Sequence, residues 1–143
     1  MSPWHVVTSD ALSHLPWAVP RSEFLAAARG TGPDAACLVF VISDAIPASA
    51  RAGYAQLIIA YARANEPVTI DRDGTSALLI TEGGLDAGAV VADRIFGLMR
   101  RISLETTIRA GVAPLSAADP EAAITAAHRR AERAAPAAVV LAD

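Results

Sequence analysis

Asp44 follows the apolar run Ala36-Cys37-Leu38-Val39-Phe40-Val41-Ile42, and Asp73-Gly74-Thr75-Ser76 separates two extended segments, Val68 to Ile70 and Ala77 to Ile80. Carboxylate oxygens are the ligands that a hard divalent cation prefers. The same positions also admit a plainer reading. An Asp at a strand end is an ordinary turn former, one carboxylate alone binds magnesium weakly, and Asp-Gly is what a tight turn demands with or without an ion.

Other reactive side chains are scattered. Arg63 and Glu66 stand at the end of a helical stretch, where a charged pair ordinarily forms a solvated terminus. His5, His14 and His128 have no cysteine or second histidine at metal-ligand spacing, and Cys37 is the only cysteine. Gly-x-Ser-x-Gly, Walker-type and paired-cysteine motifs are missing, so nucleophilic catalysis has no foundation. Trp4 and Trp17 lie outside the predicted core elements; indole suits a partner surface, though an arm folded back on its own domain would bury it as well.

The elements that must position these residues come from one domain's worth of chain. The 143 residues are 53% hydrophobic but only 5% aromatic, which points to close-packed, alanine-rich helices. No apolar run reaches the 18 or so residues of a membrane span. The first residues lack the basic and apolar regions of a signal peptide, so a cytoplasmic, reducing setting is expected. With a net charge of -3 and no basic run longer than Arg129-Arg130, nucleic-acid binding is disfavoured.

Residues 1–20 read as an irregular N-terminal segment packed on a single domain of residues 21–143. Helices are predicted over 21–29 and 48–64. A third begins at a cap by Asp86, with Val91, Ile95, Leu98 and Ile102 as its apolar stripe. A fourth begins at Asp119-Pro120-Glu121, burying Ile124, Ala127, His128 and Ala131 and exposing Arg129, Arg130, Glu132 and Arg133. Strands are predicted at 36–42, in a hairpin closed by a two-residue Asp73-Gly74 connection, at 106–113 and at 137–141.

That order, α-β-α-β-β-α-β-α-β with a tight central hairpin, resembles the GGDEF (diguanylate cyclase) family. Asp10-Ala11-Leu12-Ser13-His14-Leu15-Pro16 is similar to its opening Asp-x-Leu-Thr-Gly-Leu-Pro signature, and Phe24 sits where the next helix carries its phenylalanine. Thr107-Ile108-Arg109-Ala110-Gly111-Val112-Ala113 resembles the family's Thr-Val-Ser-Ile-Gly-Val-Ala strand, and Ala126-Ala127-His128-Arg129-Arg130-Ala131 its Ala-Asp-x-Ala-Leu-Tyr helix. The resemblance implies an α/β (α+β) palm-like fold, a central, mainly antiparallel five-stranded sheet flanked by helices.

The departures from the family pattern set the functional expectation. The resemblance implies acids at the first strand's end and in the hairpin turn, holding two magnesium ions against GTP. Here Asp73-Gly74-Thr75-Ser76-Ala77 puts Thr75 and Ser76 at the acidic positions, and a neutral hydroxyl does not replace a carboxylate there. The base-reading segment is shortened to Asp44 through Tyr54, with Tyr54 after Gly53 where an Asp is expected. Arg63 and Glu66 lie near the family's Arg-x-x-Asp inhibitory site, with Glu for Asp and the spacing to the turn one residue longer.

The expectation is a catalytically inactive GGDEF-like domain, with no metal or cofactor. It would work as a protein-interaction or regulatory module in bacterial signalling or cell organisation, with partners that include a second copy of itself. The alternative is a sensor that binds GTP or cyclic di-GMP without turning it over. Residual cyclase activity dependent on Asp44 ranks last.

Overall fold

The computed structural model describes residues 18–62 and 67–143. Arg63 and Glu66, and Trp4 and Trp17 with the rest of the N-terminal segment before Ala18, lie outside the described residues.

The elements run α1 (Arg21–Arg29), β1 (Ala36–Ile42), α2 (Ala48–Ala62), β2 (Val68–Ile70), β3 (Ser76–Ile80), α3 (Gly84–Arg100), a 3-10 turn (Glu105–Thr107), β4 (Ile108–Pro114), α4 (Pro120–Arg133) and β5 (Val139–Val140). The sheet order is β2-β3-β1-β4-β5, antiparallel throughout except for the parallel β4–β5 pair. The mainly antiparallel five-stranded sheet flanked by helices is therefore as expected.

β1 is the central strand, and all seven of its residues are buried. Alternation along it divides the core in two. Leu38, Phe40 and Ile42 join Ile58 of α2 and Ile95, Phe96 and Met99 of α3 on one face. Cys37, Val39 and Val41 join Phe24 of α1 and Ile124, Ala127 and Ala131 of α4 on the other. Burial pushes the Cys37 thiol up to about 12, leaving it protonated and inert at neutral pH. On the α4 face, Gly111 of β4 lets the helix backbone touch the sheet: a Cβ there would fall on the Ala127 carbonyl oxygen and the Ala131 amide nitrogen.

Several expectations are corrected by tertiary contacts. The hairpin connection is three residues, not two: Asp71 N–H donates to Thr75 O (2.9 Å) and Gly74 N–H to Asp71 O (3.0 Å). Only Gly74 of this turn has a positive φ, +85°, which is a type I turn closed by a left-handed glycine. Asp86 does not cap α3 but lies in its first turn. The N-cap is Gly83, and Asp34 supplies the acceptors from across the chain, its Oδ2 to Gly83 N–H and its carbonyl to Gly84 N–H, each at 2.9 Å. The buried face of α3 is Gly88, Ala92, Ile95, Phe96 and Met99, rotated from the expected stripe, and Ile102 lies beyond the helix and is exposed.

Asp119 caps α4 as expected, its Oδ1 accepting from Ala122 N–H at 3.2 Å with Pro120 at the first helical position. Two side chains of α4 change places relative to expectation. His128 is half-exposed beside Glu132, and Arg130 is largely covered because it reaches the sheet. β4 begins at Ile108, since 105–107 form a 3-10 turn, and β5 is two residues long.

Candidate functional site

The first-strand end and the hairpin turn are brought together, but the group that joins them is an arginine that no sequence motif marks. After Ile42, Ser43 N–H donates to Thr107 O (2.8 Å) and Ile46 N–H to Ser43 O (3.0 Å), so Ser43 to Ile46 forms a turn that leads into α2 with Asp44 exposed. Arg51, one turn into α2, donates Nη2 to Ser43 O (2.9 Å), Nε to Ile46 O (3.2 Å) and Nη1 to Asp73 O (3.0 Å). One guanidinium thus ties the end of β1, the β1–α2 loop and the hairpin turn through three main-chain oxygens.

A signal for Arg51 is present in the sequence. It is the only charged residue between Asp44 and Arg63. It also stands near a helix N-terminus, where the helix dipole disfavours a cation by about 0.3–1 kcal/mol. Charge-assisted hydrogen bonds contribute about 1.5–3 kcal/mol each, enough to offset that placement. The turn also packs tightly on α2 and on the end of β1: a Cβ on Gly74 would meet Ile42 Cδ1 at 2.7 Å and the Arg51 carbonyl oxygen at 3.2 Å.

The remaining turn residues point elsewhere. Asp73 Oδ1 accepts from Thr75 N–H at 3.0 Å, closing a local side-chain turn. Thr75 and Ser76 are neighbours in the chain and diverge to opposite faces of the sheet. Ser76 is fully buried, opposite Phe40, and its hydroxyl donates to Gly74 O at 3.3 Å. Thr75 lines a cavity of about 140 Å³ on the α1–α4 side with Arg21, Thr69, Asp71 and His128.

Arg21 lines that cavity. Its Nη2 lies 2.7 Å from Glu121 Oε2, its Nε 3.3 Å from Glu121 Oε1, and its Nη1 3.8 Å from Asp71 Oδ1. The Glu121 hydrogen bonds raise the Arg21 pKa above its ordinary value, and the same bonds hold the Glu121 carboxyl below the usual carboxylate range. The cation of this cavity is therefore already matched by two acids.

Asp44 opens onto a different cavity, of about 270 Å³, with Ser43, Thr106, Thr107 and Arg109. The donor set around Asp44 and the hairpin turn does not fit a pair of magnesium ions. Among the described residues, no three His, Cys, Asp or Glu side chains gather as a metal site. The main-chain oxygens that converge between the two segments are engaged by the Arg51 cation. Among the described residues, no helix is long and apolar enough to cross a membrane.

No family profile and no curated protein sequence matches the chain. Among solved structures, the chain is similar to an N-terminally truncated form of TpbB (YfiN) from Pseudomonas aeruginosa that comprises only the GGDEF domain. The TM-score is 0.57 at 20% identity, over 88% of this chain and 91% of that one. At that identity the likeness is one of fold, and it gives this chain the architecture of a GGDEF domain.

Proposed function

We propose that this GGDEF-fold domain does not make cyclic di-GMP and serves as a protein-interaction or regulatory module in a bacterial cyclic di-GMP-related signalling or cell-organisation pathway, working in the cytoplasm. One observation carries the reading. Thr75 and Ser76, which stand where the fold's cyclases are expected to carry acids, are neutral and turn to opposite faces of the sheet, so the hairpin offers no carboxylate from those positions to pair with Asp44. Phosphoryl transfer needs charge stabilisation that hydroxyls alone do not supply. Fold by itself assigns no activity, so the module's work lies in its surfaces.

Trp4 and Trp17 are the residues proposed for that work, because their type suits contact with a partner or with a second copy of the chain. Light scattering on the full chain across a range of concentrations tests this. A dimer that weakens when Trp4 and Trp17 are both replaced by alanine supports the reading. A strict monomer that also holds no regulatory partner of the pathway contradicts it.

A second reading has one observation behind it. The cavity holding Asp44, Thr106, Thr107 and Arg109 joins an acid, hydroxyls and a cation, groups that a guanine nucleotide engages. A sensor of GTP or cyclic di-GMP would release or absorb heat on titration with one of them. The loss of that heat in Arg109→Ala, or in Arg63→Ala, would say which site is used. Silence with both nucleotides removes the sensor reading.

A further inference from the structure

The three bonds of Arg51 have a feature in common: every acceptor is a main-chain carbonyl, and no acidic side chain takes part. Among the described residues the guanidinium forms no ion pair, in contrast to Arg21 and Arg130. Three carbonyl oxygens from two separate segments converging on one positive charge is a coordination pattern that hard cations favour. A planar fork with fixed donors meets such oxygens at defined angles, which an ammonium on a flexible stem does not.

We propose that the Arg51 guanidinium is a resident cation. On the carbonyl oxygens of Ser43, Ile46 and Asp73 it takes the place of a bound metal ion and sets the geometry of the hairpin turn without metal. This deepens the non-catalytic reading and rests on it. Three observations support the assignment independently of any resemblance. The arginine is the one charge in its stretch of chain. It stands at the helix end that the dipole disfavours. The turn it holds is seated so closely on Ile42 and on the first atoms of Arg51, its carbonyl oxygen and Cβ, that Gly74 has no room for a side chain.

The replacement also orders the two segments relative to each other. Ser43 and Ile46 belong to the turn after β1, whereas Asp73 is the residue before the left-handed Gly74. A bond from the same guanidinium to each side means that the hairpin turn cannot lift from α2 without breaking the bond to Asp73, while the bonds to Ser43 and Ile46 remain. The consequence is local. Loss of the guanidinium should free the turn before it affects the central strands.

The test uses the full chain and two variants. Arg51→Met keeps the aliphatic stem and removes the donors; Arg51→Lys keeps the charge and removes the fork. Amide exchange is followed at Asp71 and Gly74, the two amides that close the turn, and at the β1–β4 amides as an internal reference. Melting is followed with and without millimolar magnesium or manganese.

In Arg51→Met the turn amides should exchange at least about tenfold faster while the β1–β4 amides keep their protection, and Tm should fall by about 5 °C or more. Arg51→Lys should show the same local acceleration, and it carries the test if the methionine variant does not fold. Metal should leave the wild-type Tm unchanged. Turn amides that exchange at the wild-type rate in both variants overturn the proposal, as does a wild-type Tm raised by magnesium or manganese. Unchanged exchange without any cyclic di-GMP from GTP would sink the cation role alone. Product from GTP would sink the non-catalytic reading beneath it.

Discussion

The Asp73 carbonyl oxygen lies 3.0 Å from Arg51 Nη1, so the tip of the hairpin is held by a residue 22 positions earlier in the chain. The next residue, Gly74, completes that junction with a φ of +85° and no space for a Cβ. Gly74→Ala therefore combines a strained backbone with an overlap against Ile42 and the Arg51 carbonyl. The expected loss is about 2 kcal/mol, read as a lowered urea midpoint at unchanged slope. A midpoint within error of wild type would mean that the turn is not seated on α2 as described.

Arg130 gives a second prediction, at the opposite edge of the sheet. Its side chain is 12% exposed and donates Nη1 to Val112 O (2.7 Å) and to Leu141 O (3.2 Å), with Nε on Asp143 Oδ1 (3.1 Å). The hydrogen bond from Arg130 holds the Asp143 carboxyl below its usual range. β5 has only two residues and pairs on one side with β4, so this arginine is a principal tether of the last segment. Arg130→Ala should cost about 2 kcal/mol and leave the residues after Pro136 open to limited proteolysis while α4 stays intact. Resistance equal to wild type would show that β5 holds by pairing alone.

The Arg21–Glu121 pair predicts a direction on acidification. The Glu121 pKa is depressed in the fold from an ordinary 4.5 by the hydrogen bond from Arg21. A depressed carboxyl stabilises the fold fully above its unfolded pKa, and that contribution is lost as pH falls through the lower folded value. The pair is exposed, so the contribution is modest. Urea midpoints measured between about pH 6 and about pH 3 should fall less steeply for Glu121→Gln than for wild type, with the two curves converging at the acid end. Parallel curves would show that the clamp between α1 and α4 carries no stabilising charge.

What is legible in the sequence follows from how local each signal is. β1 reads at once because seven apolar residues in a row demand cover on both faces, and Asp119-Pro120 marks a helix start from adjacent residues alone. The cap of α3 is illegible because Asp34 lies 49 positions from Gly83, and the nearer Asp86 offers a plausible local substitute. The rotated face of α3 and the covered Arg130 have a similar cause: the partners are set by the sheet, not by helical periodicity. At the site, Asp44, Asp73 and Gly74 can be picked out by type and position, whereas Thr75 and Ser76 stand out only through the family resemblance. Arg51 escapes because its partners are carbonyl oxygens, and its one trace in the sequence is its isolation as the only charge between Asp44 and Arg63.

Whether this GGDEF fold lacks cyclase chemistry is decided in one chromatogram. The purified full chain is incubated with GTP and magnesium or manganese, and the nucleotides are separated. GTP should stay unchanged, with no cyclic di-GMP at any time point, for wild type and Asp44→Ala alike. Cyclic di-GMP that accumulates with wild type and disappears with Asp44→Ala would contradict the non-catalytic reading.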